Sequence, residues 1–489
     1  MTQATLLENG LVVDGTGEPA REEDVLIVGE RIAAVGPGLR HQLPPGLLLA
    51  DVAIRDCAGL AIAPGFIDVH THDDAIVLNA PGMFPKLSQG VTTVVTGNCG
   101  LSVAPFVVDE PQGALTLLGS SFKYPSIDSY AHAVVQAQPA VNVAPLIGHT
   151  TLRYACMGDL TRPASSTELD AMCSLLDQCM AQGAIGMSSG LFYAEAMPAP
   201  AHEVTQLARV VARYGGVYAT HMRSEMATIL DAMHEASGCA FDAGVPLIIS
   251  HHKCAGPANW GRTLETLPLI EKLAERQAIA MDVYPYVAGS TVLREDLVDE
   301  IIDVMVSWSA PYPEMTGRML ASIAAEWGMT QKEACLRLKP GGACYFQMHE
   351  DDVRRVIGHP YSMIGSDGLP HDKHPHPRLW GAFPRVLARY WREQRLFTME
   401  RAVHKMTGLS ARNFRLHQRG EIRAGWFADV TVFDPQRIRD VATYENPIAQ
   451  SEGVEMVFVN GALGIDSGKA TKRHAGRLLL RRNAGAAAS

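Results

Sequence analysis

From about residue 61 the sequence settles into a rhythm that few folds can accept: short apolar runs alternate with amphipathic segments of helical period. That alternation is the pattern of βα units and a parallel sheet. Helices are expected over 167–182, 202–214 and 264–276. Ser165 with Glu168 three residues on forms a capping-box signature for the first, and Gly215-Gly216 stops the second. Strands are expected at 142–147, 217–220, 246–250, 279–283 and 361–365. So many units in one stretch favour a (β/α)8 TIM-like barrel over an open sheet, and in a barrel the functional residues sit at the C-terminal ends of the strands.

Those ends are chemically uniform. The run 63–69 leads into His70-Thr71-His72-Asp73-Asp74, and 91–95 into Thr96-Gly97-Asn98-Cys99-Gly100. The next runs reach Gly148-His149, His221, His251-His252-Lys253 and Asp367-Gly368. Imidazole, thiolate and carboxylate together suit Zn²⁺, and strand ends that converge on one face let distant residues share an ion. On a regular strand His70 and His72 would share a side, because side chains alternate with period two. A metal-dependent hydrolase is the reading these residues support.

The flanks differ. Residues 1–60 hold short apolar runs (Leu11-Val12-Val13, 25–28, 32–35) bounded by Gly, Asp or Pro, a small β unit without helical period. Strands return at 428–433 and 454–459, and the tail 481–489 is expected to be disordered. Residues 287–350 break the βα rhythm with sequence read as helix-rich, DLVDEIIDVMVSW and then MLASIAAEWG, which suggests an insertion or lid in a βα loop. The barrel is thus expected over 61–415, with that insertion inside it.

A formal charge of −10 argues against nucleic acid as a partner, since phosphate neutralisation needs a basic surface. The nine cysteines are scattered without a CxxC pair, so neither a disulfide framework nor a zinc ribbon is expected. No apolar run is long enough for a bilayer span and no signal-peptide pattern opens the chain, so a cytoplasmic location is expected. Oligomeric state, monomer or small homo-oligomer, is open at this point.

With these residues in hand, the chain resembles the amidohydrolase superfamily and, within it, the N-acyl-D-amino-acid deacylases (D-aminoacylases). The likeness runs through Gly65-Phe66-Ile67-Asp68 with the His70-Thr71-His72 segment, and through Gly97-Asn98-Cys99-Gly100, its most specific element. It continues through Thr220-His221-Met222-Arg223, Ser250-His251-His252-Lys253, Gly365-Ser366-Asp367-Gly368 and His376-Pro377-Arg378-Leu379-Trp380-Gly381, and so covers nearly the whole chain.

The resemblance implies a barrel with a small β-sandwich built from both termini, residues 1–60 and 416–480. It implies a tight zinc on Cys99, His221 and His251, and a weaker second position on His70 and His72 that Cys99 can bridge. The metal would acidify a water and polarise the amide carbonyl while Asp367 moves the proton. Lys253, Tyr284 and Arg378 would meet the α-carboxylate of an N-acyl-D-amino acid, and Tyr193 the scissile group. Ser290, Tyr345 and Met348 would line an apolar side-chain pocket, giving a hydrophobic or broad preference; Arg294 could instead pair with a D-glutamate side chain. The alternative is a cyclic-amide hydrolase of hydantoinase or dihydroorotase type. Many such enzymes bridge two metals with a carboxylated lysine, and the strand ending at His149 supplies none.

Overall fold

A computed structural model describes residues 4–119 and 122–481. Its centre is an eight-stranded, all-parallel sheet. The strands are β1 (Phe66–Asp68), β2 (Val91–Thr96), β3 (Asn142–Gly148), β4 (Gly186–Gly190), β5 (Val217–His221), β6 (Leu247–Ile249), β7 (Ile279–Val283) and β8 (Ser362–Ile364). The ring closes where Asp367 N donates to His70 O at 2.8 Å and Thr71 bridges Gly368. These strands are buried throughout and most are rich in apolar residues, because both faces are covered. Ile248 faces the barrel interior with Ile67, Val95, Leu146, Ala219, Ala280 and Met363, while its neighbour Ile249 packs outward against the helices.

The amphipathic segments fold as their caps dictate. Ser166–Ala181 starts from a complete Ser165/Glu168 capping box, Ala201–Arg213 ends just before Gly215 at φ 66°, and Thr263–Ala274 forms the third helix. One barrel strand carries no apolar run at all. β4 reads Gly-Met-Ser-Ser-Gly, which periodicity cannot detect, and its composition follows from crowding rather than propensity. A Cβ on Gly190 would stand 2.1 Å from Cys99 O. The glycine lets β4 press against the turn that carries Cys99.

Two boundaries differ from the expectation. Ala63-Pro64, read as the head of the first barrel strand, instead belongs to the strand Ala61–Pro64, which pairs with Leu11-Val12 and with Val430–Phe433. It belongs to a nine-stranded sheet that joins both chain ends and encloses Leu7, Val25, Ile62, Val430 and Phe458. At the other end, 476–481 leaves that sheet and runs along the barrel: Val143 N donates to Arg477 O and Leu479 N to Val143 O. The tail beyond 481, expected to be disordered, lies outside the described residues.

The segment read as a helix-rich insertion is a layered unit. Strands Gly289–Val292, Gly341–Tyr345 and Val304–Ser309 form a three-stranded sheet covered by helices Leu320–Trp327 and Gln331–Leu338. The stretch 296–308 is therefore not helical. Its acidic first half makes only a short turn at Glu295–Leu297, and its Val-rich second half pairs edge to edge with Gly341–Tyr345.

Candidate metal centre

At the C-terminal mouth of the barrel the Cys99 sulfur is the focus. Its Sγ lies 3.2 Å from His70 Nε2, 3.4 Å from His251 Nε2 and 3.8 Å from His221 Nδ1. Asp367 Oδ1 stands 3.2 Å from His72 Nε2 and 3.5 Å from His70 Nε2. Among the described residues the donors fall into two sets sharing Cys99: Cys99 with His221 and His251, and Cys99 with His70, His72 and Asp367. All are buried.

Three of these positions need unusual backbone. Cys99, His251 and Asp367 all have positive φ (54°, 37° and 49°), a conformation non-glycine residues adopt at a cost and that concentrates at functional sites. Cys99 sits in a turn set by Gly97 at φ 77°, where a Cβ would come within 2.1 Å of Leu146 O. His251 lies past the end of β6, its N–H donating to Asp282 Oδ1 at 2.9 Å. His70 and His72 likewise lie beyond β1, so the strand period does not place them. The Thr71–Gly368 bridge does.

The electrostatics call for positive charge at this spot. Burial pushes the Cys99 thiol up, but the imidazoles of His70 and His251 overcome it and hold the thiol well below its ordinary range. Asp367, raised by burial, is pulled well below the usual carboxylate range by Arg378 and His70. Burial lowers His72, yet the bonds to Asp367 and Cys99 lift it to about 9. An anionic sulfur and carboxylate thus gather imidazoles around them, a donor set fitted to a borderline cation. The distances fit too. A tetrahedral Zn²⁺ with ordinary Zn–S and Zn–N bonds separates S and N by about 3.6 Å, and Cys99 lies 3.4 and 3.8 Å from His251 and His221.

Two carboxylates that the sequence reading did not single out support these rings. Glu225 Oε1 accepts from Lys253 Nζ at 2.6 Å and lies 3.0 Å from His251 Nδ1, while its Oε2 lies 3.5 Å from His221 Nε2. Asp282 stands 3.3 Å from His70 Nδ1. Asp282 is the last polar residue of β7, one before its end, and could have been found as another polar strand end. Glu225 follows His221 by four residues in a loop, with no periodic signal. His149, one of the strand-end histidines, turns away: its Nε2 meets Glu203 Oε1 at 2.9 Å, and Arg153 holds the same oxygen at 2.6 Å. His252 also leaves, bonding Thr266 Oγ1 at 2.8 Å.

The predicted substrate contacts divide. Tyr193, Lys253, Tyr284, Ser290 and Tyr345 line the pocket in front of His221, His251 and Asp367. Arg378 pairs with Asp367 Oδ2 at 3.0 Å and lies 4.4 Å over the Tyr284 ring. Tyr284 Oη, Ser290 Oγ and Arg378 Nε and Nη1 are buried with no hydrogen-bond partner among the described residues, as a polar ligand site requires. Two expectations fail. Met348 packs behind the wall, in a separate small cavity with His252, Cys254 and Tyr286, because the chain turns at Gln347 away from the metal pocket. Arg294 does not face that pocket. Asp296 grips its Nε and Nη2 at 3.0 and 2.5 Å, and its guanidinium stacks 4.0 Å over Phe192.

The amidohydrolase family pattern matches residues 53–310 and 305–463. The chain belongs to the amidohydrolase family. This amidohydrolase is 47% identical to a D-aminoacylase of Alcaligenes xylosoxydans xylosoxydans over 97% of both chains. It is 44% identical to an N-acyl-D-aspartate deacylase of the same organism, over 97% of this chain and 94% of that one. The solved structure of an N-acyl-D-glutamate deacylase from Bordetella bronchiseptica, complexed with zinc and a phosphonate mimic of the tetrahedral intermediate, superposes with a TM-score of 0.92. Its identity to this amidohydrolase is 42%, over 97% of this chain and 99% of that one.

Proposed function

We propose that this amidohydrolase cleaves the amide bond of N-acyl-D-amino acids with water, releasing a carboxylate and a free D-amino acid. The observation that carries this reading is the buried Cys99 thiolate ringed by imidazoles beside the Asp367–Arg378 pair. The three enzymes of the preceding comparison are all deacylases of N-acyl-D-amino acids by name.

Cys99, His221 and His251 would hold a tight zinc, and His70 and His72 a looser one beside Cys99. Zinc there supplies Lewis acidity toward the amide carbonyl and toward water. Asp367 takes the proton from the attacking water and returns it to the leaving nitrogen. Arg378 keeps Asp367 ionised for that task and still offers Nε and Nη1 to a carboxylate, as does the free hydroxyl of Tyr284. Lys253 is held at the pocket wall by Glu225, so it presents a fixed positive charge. Tyr193 stands ready to hydrogen bond at the scissile group.

The side-chain preference is hydrophobic or broad, because Leu297 and Tyr345 line that part of the pocket and Asp296 neutralises Arg294. None of the nine cysteines is paired in a disulfide, which supports a reducing, cytoplasmic setting. The test is kcat/KM on paired D and L forms of N-acetylmethionine, N-acetylleucine and N-acetylglutamate. D-selective turnover led by methionine or leucine is expected. Turnover of hydantoin or dihydroorotate with none of N-acyl-D-amino acids would overturn the reading.

A further inference from the structure

A second opening lies beside the metal pocket, between the turn Gly113–Leu118, the edge of the inserted sheet and the segment after Asp367. Its walls include Thr116, Leu117, Trp308, Ala310, Pro313 and His371. Leu117 lines the metal pocket as well, so the two spaces adjoin at this side chain. Their sizes differ sharply: ≈ 40 Å³ in front of the metal residues against ≈ 580 Å³ in the outer groove. The inner space holds about three water molecules. An acyl chain much longer than acetyl has to leave it.

The direction of exit follows from the bonding of the amide. The scissile carbonyl carbon bears two substituents, the nitrogen and the acyl chain, which point apart. On the deacylase reading, on which this inference rests, the nitrogen side goes to Lys253 and Tyr284, which follow β6 and β7. Leu117 comes from the long connection after β2, four strands round the ring from β6. The acyl chain is therefore directed toward Leu117, and beyond it the indole of Trp308 and the ring of Pro313 offer an apolar bed.

We infer that this groove is the acyl-group subsite, and that the enzyme takes medium-length aliphatic and arylacetyl groups in preference to acetyl. The zinc-loaded enzyme is assayed on N-acetyl-, N-hexanoyl-, N-octanoyl- and N-phenylacetyl-D-methionine. The hexanoyl compound should exceed the acetyl in kcat/KM by about ten-fold, since each fully buried methylene multiplies binding up to about four-fold and the groove covers part of the chain. Trp308→Ala should return the hexanoyl-to-acetyl ratio toward one. Because that change could loosen the inserted sheet, Ala310→Asp at an exposed position is the second variant and should do the same. Turnover of the acetyl substrate with a flat or falling series, or a ratio unmoved by both variants, overturns the groove alone. Turnover of no member of the series overturns the deacylase reading and this inference with it.

Discussion

The two sides of Cys99 are built alike but braced differently. On one side His251 and His221 both turn their far nitrogens to a single carboxylate, Glu225, at 3.0 and 3.5 Å, and Lys253 holds that carboxylate in turn. On the other, Asp282 backs His70 at 3.3 Å, but His72 Nδ1 has no such carboxylate; neither it nor His221 Nε2 makes a hydrogen bond among the described residues, and of the two only His221 Nε2 faces a carboxylate within 4 Å. A ring whose outer nitrogen faces a carboxylate is held more firmly in one orientation than a ring whose outer nitrogen faces none. On the proposed reading, that asymmetry would make the Cys99–His221–His251 position the tighter of the two for zinc.

The largest effect should come from the residue both sides share. Cys99→Ala is expected to strip the zinc and cost about a thousand-fold or more in kcat/KM, measured by metal analysis alongside kinetics. Asp367→Asn should lower kcat about 10²- to 10⁴-fold while the purified protein keeps its zinc, separating proton transfer from metal holding. Glu225→Gln should weaken the tight zinc about 10- to 100-fold in chelator competition, whereas His72→Ala should leave that affinity within a few-fold and reduce activity. If His72→Ala strips zinc as fully as Cys99→Ala does, the two sides are equivalent and the asymmetry is wrong.

The smallest effect concerns the histidine that turned away. Burial raises Glu203, but His149 and Arg153 hold it at about 2, below its ordinary 4.5. A depressed carboxylate contributes stability that is present above 4.5 and lost as pH falls through about 2. Glu203→Gln should therefore lower Tm at pH 7, and the gap to the unsubstituted protein should narrow toward pH 2 to 3. A gap constant with pH would show that the His149–Arg153–Glu203 cluster acts through packing rather than charge.

Much of the barrel was legible because its information is local. Short continuous apolar runs, the Ser165/Glu168 box and the Gly215 stop each act within a few residues. β4 was illegible because its glycines answer neighbours far away in the chain, Gly190 at Cys99 and Gly186 at Val217. The stretch 296–308 misled because Leu297, Val298, Ile301 and Ile302 recur at helical spacing ahead of a run whose partner strand lies at 341–345. In the site, residue type and strand-end position pointed to the donors together. Resemblance, not spacing, separated His251 from His252 and Cys99 from the other eight cysteines.

The sequence by itself determined the kind of site this is: an imidazole–thiolate–carboxylate set at the ends of parallel strands, because donor chemistry and strand polarity are written in residue types. Only the tertiary structure decided which donors meet. Positive-φ turns at Cys99, His251 and Asp367 aim three side chains inward. The close pairs with Glu203 and Thr266 draw His149 and His252 out. Those choices depend on contacts between residues tens to hundreds of positions apart, which no local pattern encodes.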